Sequence, residues 1–310
     1  MPHPPRFLQL DRGPVIVEVG IRTISRRYLL APTAAFTEAA IAIYARARAR
    51  YRVGVLCLHI ASNHVHTLLS VPDHETLSAF LRDVHSGLAR LARRLHGGEG
   101  HVFARAPYIA QVLDDDALRA RYRYLFEQAT KDDLTARPRD WPGVQCIDAL
   151  CRGKALIGRW VDRARQRSAA RSRRVDERAF SESVALELDP PPFLTGKSVE
   201  ARQAWFSGLE AAIEEETRER QRRERVRLPA VGCLRRLNPF GRPRSTPVKR
   251  VAKKVFVSAE GLRRAFGDAL GRFAAVYHEA WHAMVHGASF CFPLGGWDPG
   301  RRPCRRAGVA

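Results

Sequence analysis

No run of this chain is apolar over enough residues to cross a bilayer as a helix. The opening residues, Met1-Pro2-His3-Pro4-Pro5-Arg6, lack the apolar segment of a secretory signal. Cysteine is scarce and scattered. The six thiols at positions 57, 146, 151, 233, 291 and 304 include no Cys-x-x-Cys pair, which argues against a zinc ribbon or a disulfide framework. They are read as reduced and the chain as cytoplasmic. Acidic residues are also short, 32 Asp and Glu against 53 Lys and Arg, leaving a formal net charge of +21. That excess predicts a polyanionic partner, nucleic acid first and a membrane surface second. Runs at Arg163–Arg174, Arg218–Arg225 and Lys249–Lys254 are candidates for phosphate contact.

What is present suits a globular protein. Apolar residues make up 45% of the 310, enough for a core. Pro14 to Thr23 is rich in Val and Ile and reads as a strand. Ser25 to Leu30 reads as a turn and a short second strand. Thr33 caps a helix through about Arg50. Val53–Ile60 and His64–Val71 form an antiparallel hairpin around the turn Ala61-Ser62-Asn63. Asp73 caps a second helix whose Leu77, Phe80, Leu81, Val84, Leu88, Leu91 and Leu95 keep helical spacing. An extended piece spans Val102 to Val112. Asp114-Asp115-Asp116 opens a third helix, where acidic residues suit the dipole, and that helix runs to about Thr130. The texture changes near residue 167. Beyond it the sequence predicts a helix from about Ser198 to Arg225, a linker over 230–248, a helix from Ser258 through His286, and a disordered tail.

Two histidines one residue apart on a strand share a face, so His64 and His66 point together while Val65 points into the core. Neutral imidazole is a common ligand for divalent metals. On the third helix the apolar stripe is Leu118, Tyr122, Leu125, Phe126 and Ala129. At about 100° per residue, Tyr124 stands roughly 140° from the centre of that stripe. It is therefore free to face a cleft with Arg121, Gln128 and Lys131 around it. Gln128, one turn on, shares its surface. Two imidazoles, an amide oxygen and a phenol that meet at one cation suit cleavage of a phosphodiester with tyrosine as nucleophile.

Residues 14 to about 165 resemble the single-tyrosine transposases of the HUH superfamily, and more narrowly the REP-associated tyrosine transposases of bacteria. The strings that carry the resemblance are Arg22-Thr23, Ser62-Asn63-His64-Val65-His66-Thr67-Leu68-Leu69, Arg123-Tyr124-Leu125, Lys131 to Leu134, and Asp140-Trp141-Pro142-Gly143-Val144. The resemblance implies an α+β fold, a ferredoxin-like (RRM-like) antiparallel sheet with helices on one side. To this the chain adds a mainly helical, basic C-terminal extension, so that residues 1–167 are the catalytic domain and 168–310 the extension. It implies Tyr124 as nucleophile and His64, His66 and Gln128 as ligands of Mg²⁺ or Mn²⁺. Single-stranded or hairpin DNA would be cleaved and rejoined through a 5′-phosphotyrosine. Arg121, Lys131 and Arg22 are candidate DNA contacts. Gln128-Ala129 departs from the Asn-Pro that REP-associated proteins often carry and resembles the shorter dimeric relatives, so monomer and homodimer both stay open.

A rival motif lies near the C-terminus. His278-Glu279-Ala280-Trp281-His282 fits His-Glu-x-x-His, a zinc metalloprotease signature. Ala288 stands where a third histidine would be needed, and no glutamate follows Glu279. The plainer reading is an amphipathic helix packing through Leu262, Phe266, Leu270, Phe273, Ala274, Tyr277 and Trp281. A third reading is a non-catalytic nucleic-acid binder.

Overall fold

The computed structural model describes residues 7–8, 13–104, 106–170, 176–243 and 255–293. Residues 171–174 and 249–254 of the basic runs, the tail from 295 and Cys304 lie outside them.

The chain begins with β1 (Val15–Arg22), α1 (Ala34–Tyr51), β2 (Gly54–Ile60), β3 (His64–Val71), α2 (His74–His96) and β4 (Tyr108–Val112). β1, β2, β3 and β4 pair antiparallel in the order β2-β3-β1-β4, the ferredoxin-like arrangement. Thr33 and Asp73 cap α1 and α2 through their side chains, accepting from Phe36 N and Thr76 N. These helices cover the sheet face that carries Val65 and Thr67. The Tyr44 hydroxyl of α1 bonds Thr67 Oγ1 at 3.0 Å, and its ring meets Phe80 of α2 edge-on. Of the turn and short strand expected over Ser25–Leu30, the turn is present as a 3-10 turn at Ile24–Arg26, with Ser25 and Arg26 in the left-handed region, and no strand follows it. A polar Ser-Arg-Arg sequence there has no apolar alternation to hold a strand.

α3 (Asp115–Phe126), capped by Asp114, crosses the opposite sheet face. It stops at Phe126, four residues short of the expected end, and the chain turns through 127–133. α4 (Ile147–Arg152) follows, then β5 (Leu156–Val161) and α5 (Arg163–Ala169). β5 runs so close to α1 that a Cβ at Gly158 would sit 2.3 Å from Ala42 N.

The chain on either side of residue 167 shares one apolar cluster. β6 (Ser181–Leu186) pairs with β5, and Phe206 on α6 (Val199–Arg223) packs against Tyr122 and Phe126 of α3. Arg220 of α6 holds the turn after α3, reaching the Asp133 carboxylate at 2.6 Å and the Thr130 carbonyl at 2.8 Å. Within the region read as a linker lies a short helix, α7 (Val231–Arg235), with Leu234 buried against Trp141. β7 (Val255–Phe256) then joins the sheet edge parallel to β4, and α8 (Glu260–Val285) follows. No helix of the described residues is long and apolar enough to cross a membrane.

Phe206 is 2% exposed, so Phe206→Ala should cost the full chain about 3–5 kcal/mol of stability, as large-to-small core changes do. Urea unfolding measures this. A loss below about 1 kcal/mol would mean that α6 does not share the core. His85, on α2 beside Phe103, is pushed down to about 4 by burial. An unfolded imidazole near 6.5 takes up its proton first as pH falls. The stability it confers is full above pH 6.5 and is lost between 6.5 and about 4. The ring is partly open to solvent, so the loss is about 2 kcal/mol rather than the roughly 3 of an enclosed site. His85→Leu should flatten the pH profile of the unfolding free energy by that amount.

Candidate active site

The register of three strands builds the floor of the site. Gly20 of β1 stands between His66 of β3 and Tyr108 of β4, and Arg22 stands opposite His64. Glu18, Gly20 and Arg22 alternate onto the same face as His64 and His66. His59 of β2 pairs with His66 from the other side and is 3% exposed. Only a glycine at position 20 leaves the Tyr108 ring where it lies. A Cβ there would lie 2.1 Å from the Tyr108 ring, which crosses over the strand.

The two imidazoles are both fixed through Nδ1. Asn63 Nδ2 donates to the Arg26 carbonyl, which turns its Oδ1 toward His64 Nδ1 at 2.7 Å. Both ring nitrogens face an amide oxygen, which only accepts; the hydrogen goes to the shorter contact, from Nδ1 to Asn63, and Nε2 keeps a lone pair. Gln128 Nε2 donates to the Tyr124 carbonyl at 2.8 Å, which aims Gln128 Oε1 at His64 Nε2, 3.3 Å away. Burial first, and His66 second, push His64 down to about 3, so the ring is neutral. Two acceptors therefore face each other with no proton to share, an arrangement that a cation relieves. His66 Nδ1 meets Glu18 Oε1 at 3.0 Å, which leaves its Nε2 as the lone pair. The His64 and His66 rings lie 5.1 Å apart. The donor set of two imidazole nitrogens and one amide oxygen thus fits a divalent ion, with an oxygen partner behind each imidazole. Among the described residues, no group of three or more His, Cys, Asp or Glu is placed to hold a metal, so Gln128 is needed to complete such a set.

Tyr124 stands over this floor. Its ring centroid is 5.3 Å from that of His66, edge to face. The Arg121 guanidinium sits 4.0 Å from the centroid of the Tyr124 ring, and Lys131 Nζ sits 3.9 Å from it. Tyr122 is fully buried and hydrogen-bonds the Leu56 carbonyl, as its place in the apolar stripe predicts. Two expectations need correction. Tyr124 is half-buried against the core rather than wholly off it. Gln128 lies in the turn beyond α3 rather than on the helix, and it is only 2% exposed. The structure brings Tyr124, His64, His66, Gln128, Arg121 and Lys131 together, and it places Arg22, which is exposed, at the rim beside His64.

Sequence reasoning missed Glu18 and Tyr108. Glu18 is 0% exposed and is bonded by His66, by the Tyr108 hydroxyl and by Arg121 Nε. Burial raises its pKa and these partners outweigh that, so the net shift is downward and the group stays ionised. Tyr108 is shifted upward, by burial and then by Glu18, and remains a donor. The signal was available, since an acid interrupts the Val and Ile of Val15-Ile16-Val17-Glu18-Val19. A charge buried in a strand needs a partner or a purpose.

The rival motif forms no comparable site. His278, His282 and His286 line an exposed side of α8, with successive ring centroids 6.5 and 6.2 Å apart. Tyr277 and Ala280 on the other side are buried with Phe292.

No protein-family model matches the chain, and no curated protein does. Among solved structures the chain is similar to a REP-associated tyrosine transposase bound to a REP hairpin. The two share 11% identity over 47% of this chain and 86% of that one, with a TM-score of 0.40. It is similar also to a putative transposase from Deinococcus radiodurans R1, at 17% identity over 39% of this chain and 96% of that one, with a TM-score of 0.28.

Proposed function

We propose that the protein is a metal-dependent tyrosine transesterase of DNA, a transposase-type enzyme that cleaves and rejoins single-stranded or hairpin substrates. The observation that carries this reading is the convergence of His64 Nε2 and Gln128 Oε1, with His66 beside them and a phenol overhead. His64, His66 and Gln128 would hold Mg²⁺ or Mn²⁺. When bound, that ion supplies Lewis-acid polarisation of a phosphate oxygen.

The chain's own residues do the rest. The Tyr124 oxygen attacks phosphorus as the bond to the 3′ oxygen breaks, leaving a 5′-phosphotyrosine and a free 3′-OH. The phenol proton leaves to solvent, and the departing 3′ oxygen takes one up. Because the phosphoester is conserved in the covalent link, attack by a 3′-OH can reverse the step and join strands. Arg121 and Lys131 clamp the phenol and place two positive charges beside the phosphate on which negative charge accumulates. Arg22 at the rim suits a flanking phosphate. Nucleophile and ligands come from one chain, so a monomer suffices for the chemistry.

Incubation with hairpin oligonucleotides and Mn²⁺, followed by mass spectrometry of the trapped adduct, should place the DNA on Tyr124. Tyr124→Phe should lower adduct formation by at least about 100-fold, in the range of lost covalent catalysis, with hairpin affinity within a few-fold of wild type. An adduct that persists in Tyr124→Phe refutes the assignment, and tight binding with no adduct in the wild type selects the non-catalytic binder instead. His64→Ala should abolish Mn²⁺-dependent nicking while a salt titration of DNA binding keeps its slope, because that slope counts phosphate contacts and not metal ligands.

A further inference from the structure

The site has two parts, the ligand histidines on the sheet and the nucleophile on a helix, and one buried side chain touches the supports of both. Glu18 Oε1 takes His66 Nδ1 at 3.0 Å and the Tyr108 hydroxyl. Its Oε2 takes Arg121 Nε. The Arg121 guanidinium is held between two rings, 4.0 Å from the centroid of Tyr124 and 4.2 Å from that of Phe256 on β7. The carboxylate therefore has a histidine and a phenol on one oxygen and an arginine on the other.

We infer that Glu18 is a positioning residue, whose single carboxylate orients His66 for the metal and, through Arg121, aligns Tyr124 over the same point. This rests on the reading of the site as a metal-dependent tyrosine transesterase and adds what aligns its two halves. The carboxylate accepts from Nδ1–H, so Nε2 is the nitrogen presented to the cleft. Arg121 presents a planar fork, and with Nε committed to Glu18 its guanidinium carbon stands over the phenol ring. Gly20 makes the cluster possible by letting the Tyr108 ring cross β1 to reach the same oxygen. Fold stability alone does not call for such a group. An apolar residue of similar volume at position 18, beside its cross-strand partners Leu68 and Ala110, would be as stable as a buried ion pair, or more so.

The experiment compares full-length Glu18→Gln, Arg121→Lys and His64→Ala with the wild type. Mn²⁺ affinity is read by electron paramagnetic resonance of free Mn²⁺, adduct rate at saturating Mn²⁺ on a hairpin oligonucleotide, and folding by circular dichroism. Glu18→Gln should weaken Mn²⁺ binding by about 10–100-fold, the range for the partner behind a ligating histidine. It should also slow the adduct at saturating Mn²⁺, because Arg121 loses its anchor. Arg121→Lys should slow the adduct with Mn²⁺ affinity nearly unchanged, separating the two arms. A role confined to stability would lower the melting temperature and leave Mn²⁺ affinity of the folded protein as in the wild type, which overturns the proposal. Long-range ¹H–¹⁵N spectra of the metal-free wild type should find His66 in the Nδ1–H tautomer; the Nε2–H form overturns the proposal without need of any variant. If His64→Ala also binds Mn²⁺ as the wild type does, the metal reading of the site fails, whereas loss in His64→Ala with none in Glu18→Gln rejects the role of Glu18 alone.

Discussion

The antiparallel register of β1 against β3 is the constraint on which the site depends. With Gly20 across from His66 and Arg22 across from His64, the Glu18 side of β1 and the histidine side of β3 lie on one face. A slip of one residue would turn Val17, Val19 and Ile21 toward the cleft and bury Glu18 and Arg22 under α1 and α2. The apolar residues on the other face of both strands hold this register, since Val17, Val19, Val65 and Leu69 are all buried. The hydrophobic effect sets the pairing, and the polar groups take their positions from it.

The positive charge of the chain is only partly available to a nucleic acid. Arg220 is committed to Asp133, and Arg139 and Arg152 both reach the buried Glu210 of α6. Arg48 engages Asp189 through two nitrogens. These arginines fasten the extension to the ferredoxin-like unit. A run such as Arg218–Arg225 therefore mixes internal clasps with exposed cations such as Arg222 and Arg225. Net charge foretells a polyanionic partner but does not say which arginine meets it.

Most of the ferredoxin-like unit was legible because its signals are local. Thr33 and Asp73 announced their helices, the period-two alternation around His64-Val65-His66 announced a strand, and the helical period separated the core tyrosine, Tyr122, from Tyr124. The end of α3 was misjudged because Glu127, Gln128 and Ala129 all favour helix, and the turn there is held by Arg220, some 90 positions away. Tyr108 was invisible for a similar reason. Its role comes from standing next to a glycine on a neighbouring strand, which no window along the chain contains. β7 has two residues, too few for any periodicity, and it exists through pairing with β4 and through Asp114, whose Oδ2 accepts from Ser258 N and Ala259 N.

That last contact has a bearing on biosynthesis. Asp114 caps α3 with one oxygen and fastens the backbone at 258–259 with the other, a closure spanning 144 positions. A ribosome adding about 5–20 residues per second releases the histidine hairpin and the tyrosine helix several seconds before the segment that places Phe256 against Arg121. During that interval the nascent chain carries its phenol and imidazoles without the outer wall of the guanidinium sandwich. Assembly of the cleft is thus coupled to synthesis of the β7 segment, and a polypeptide terminated before Phe256 would be left with an unsupported Arg121.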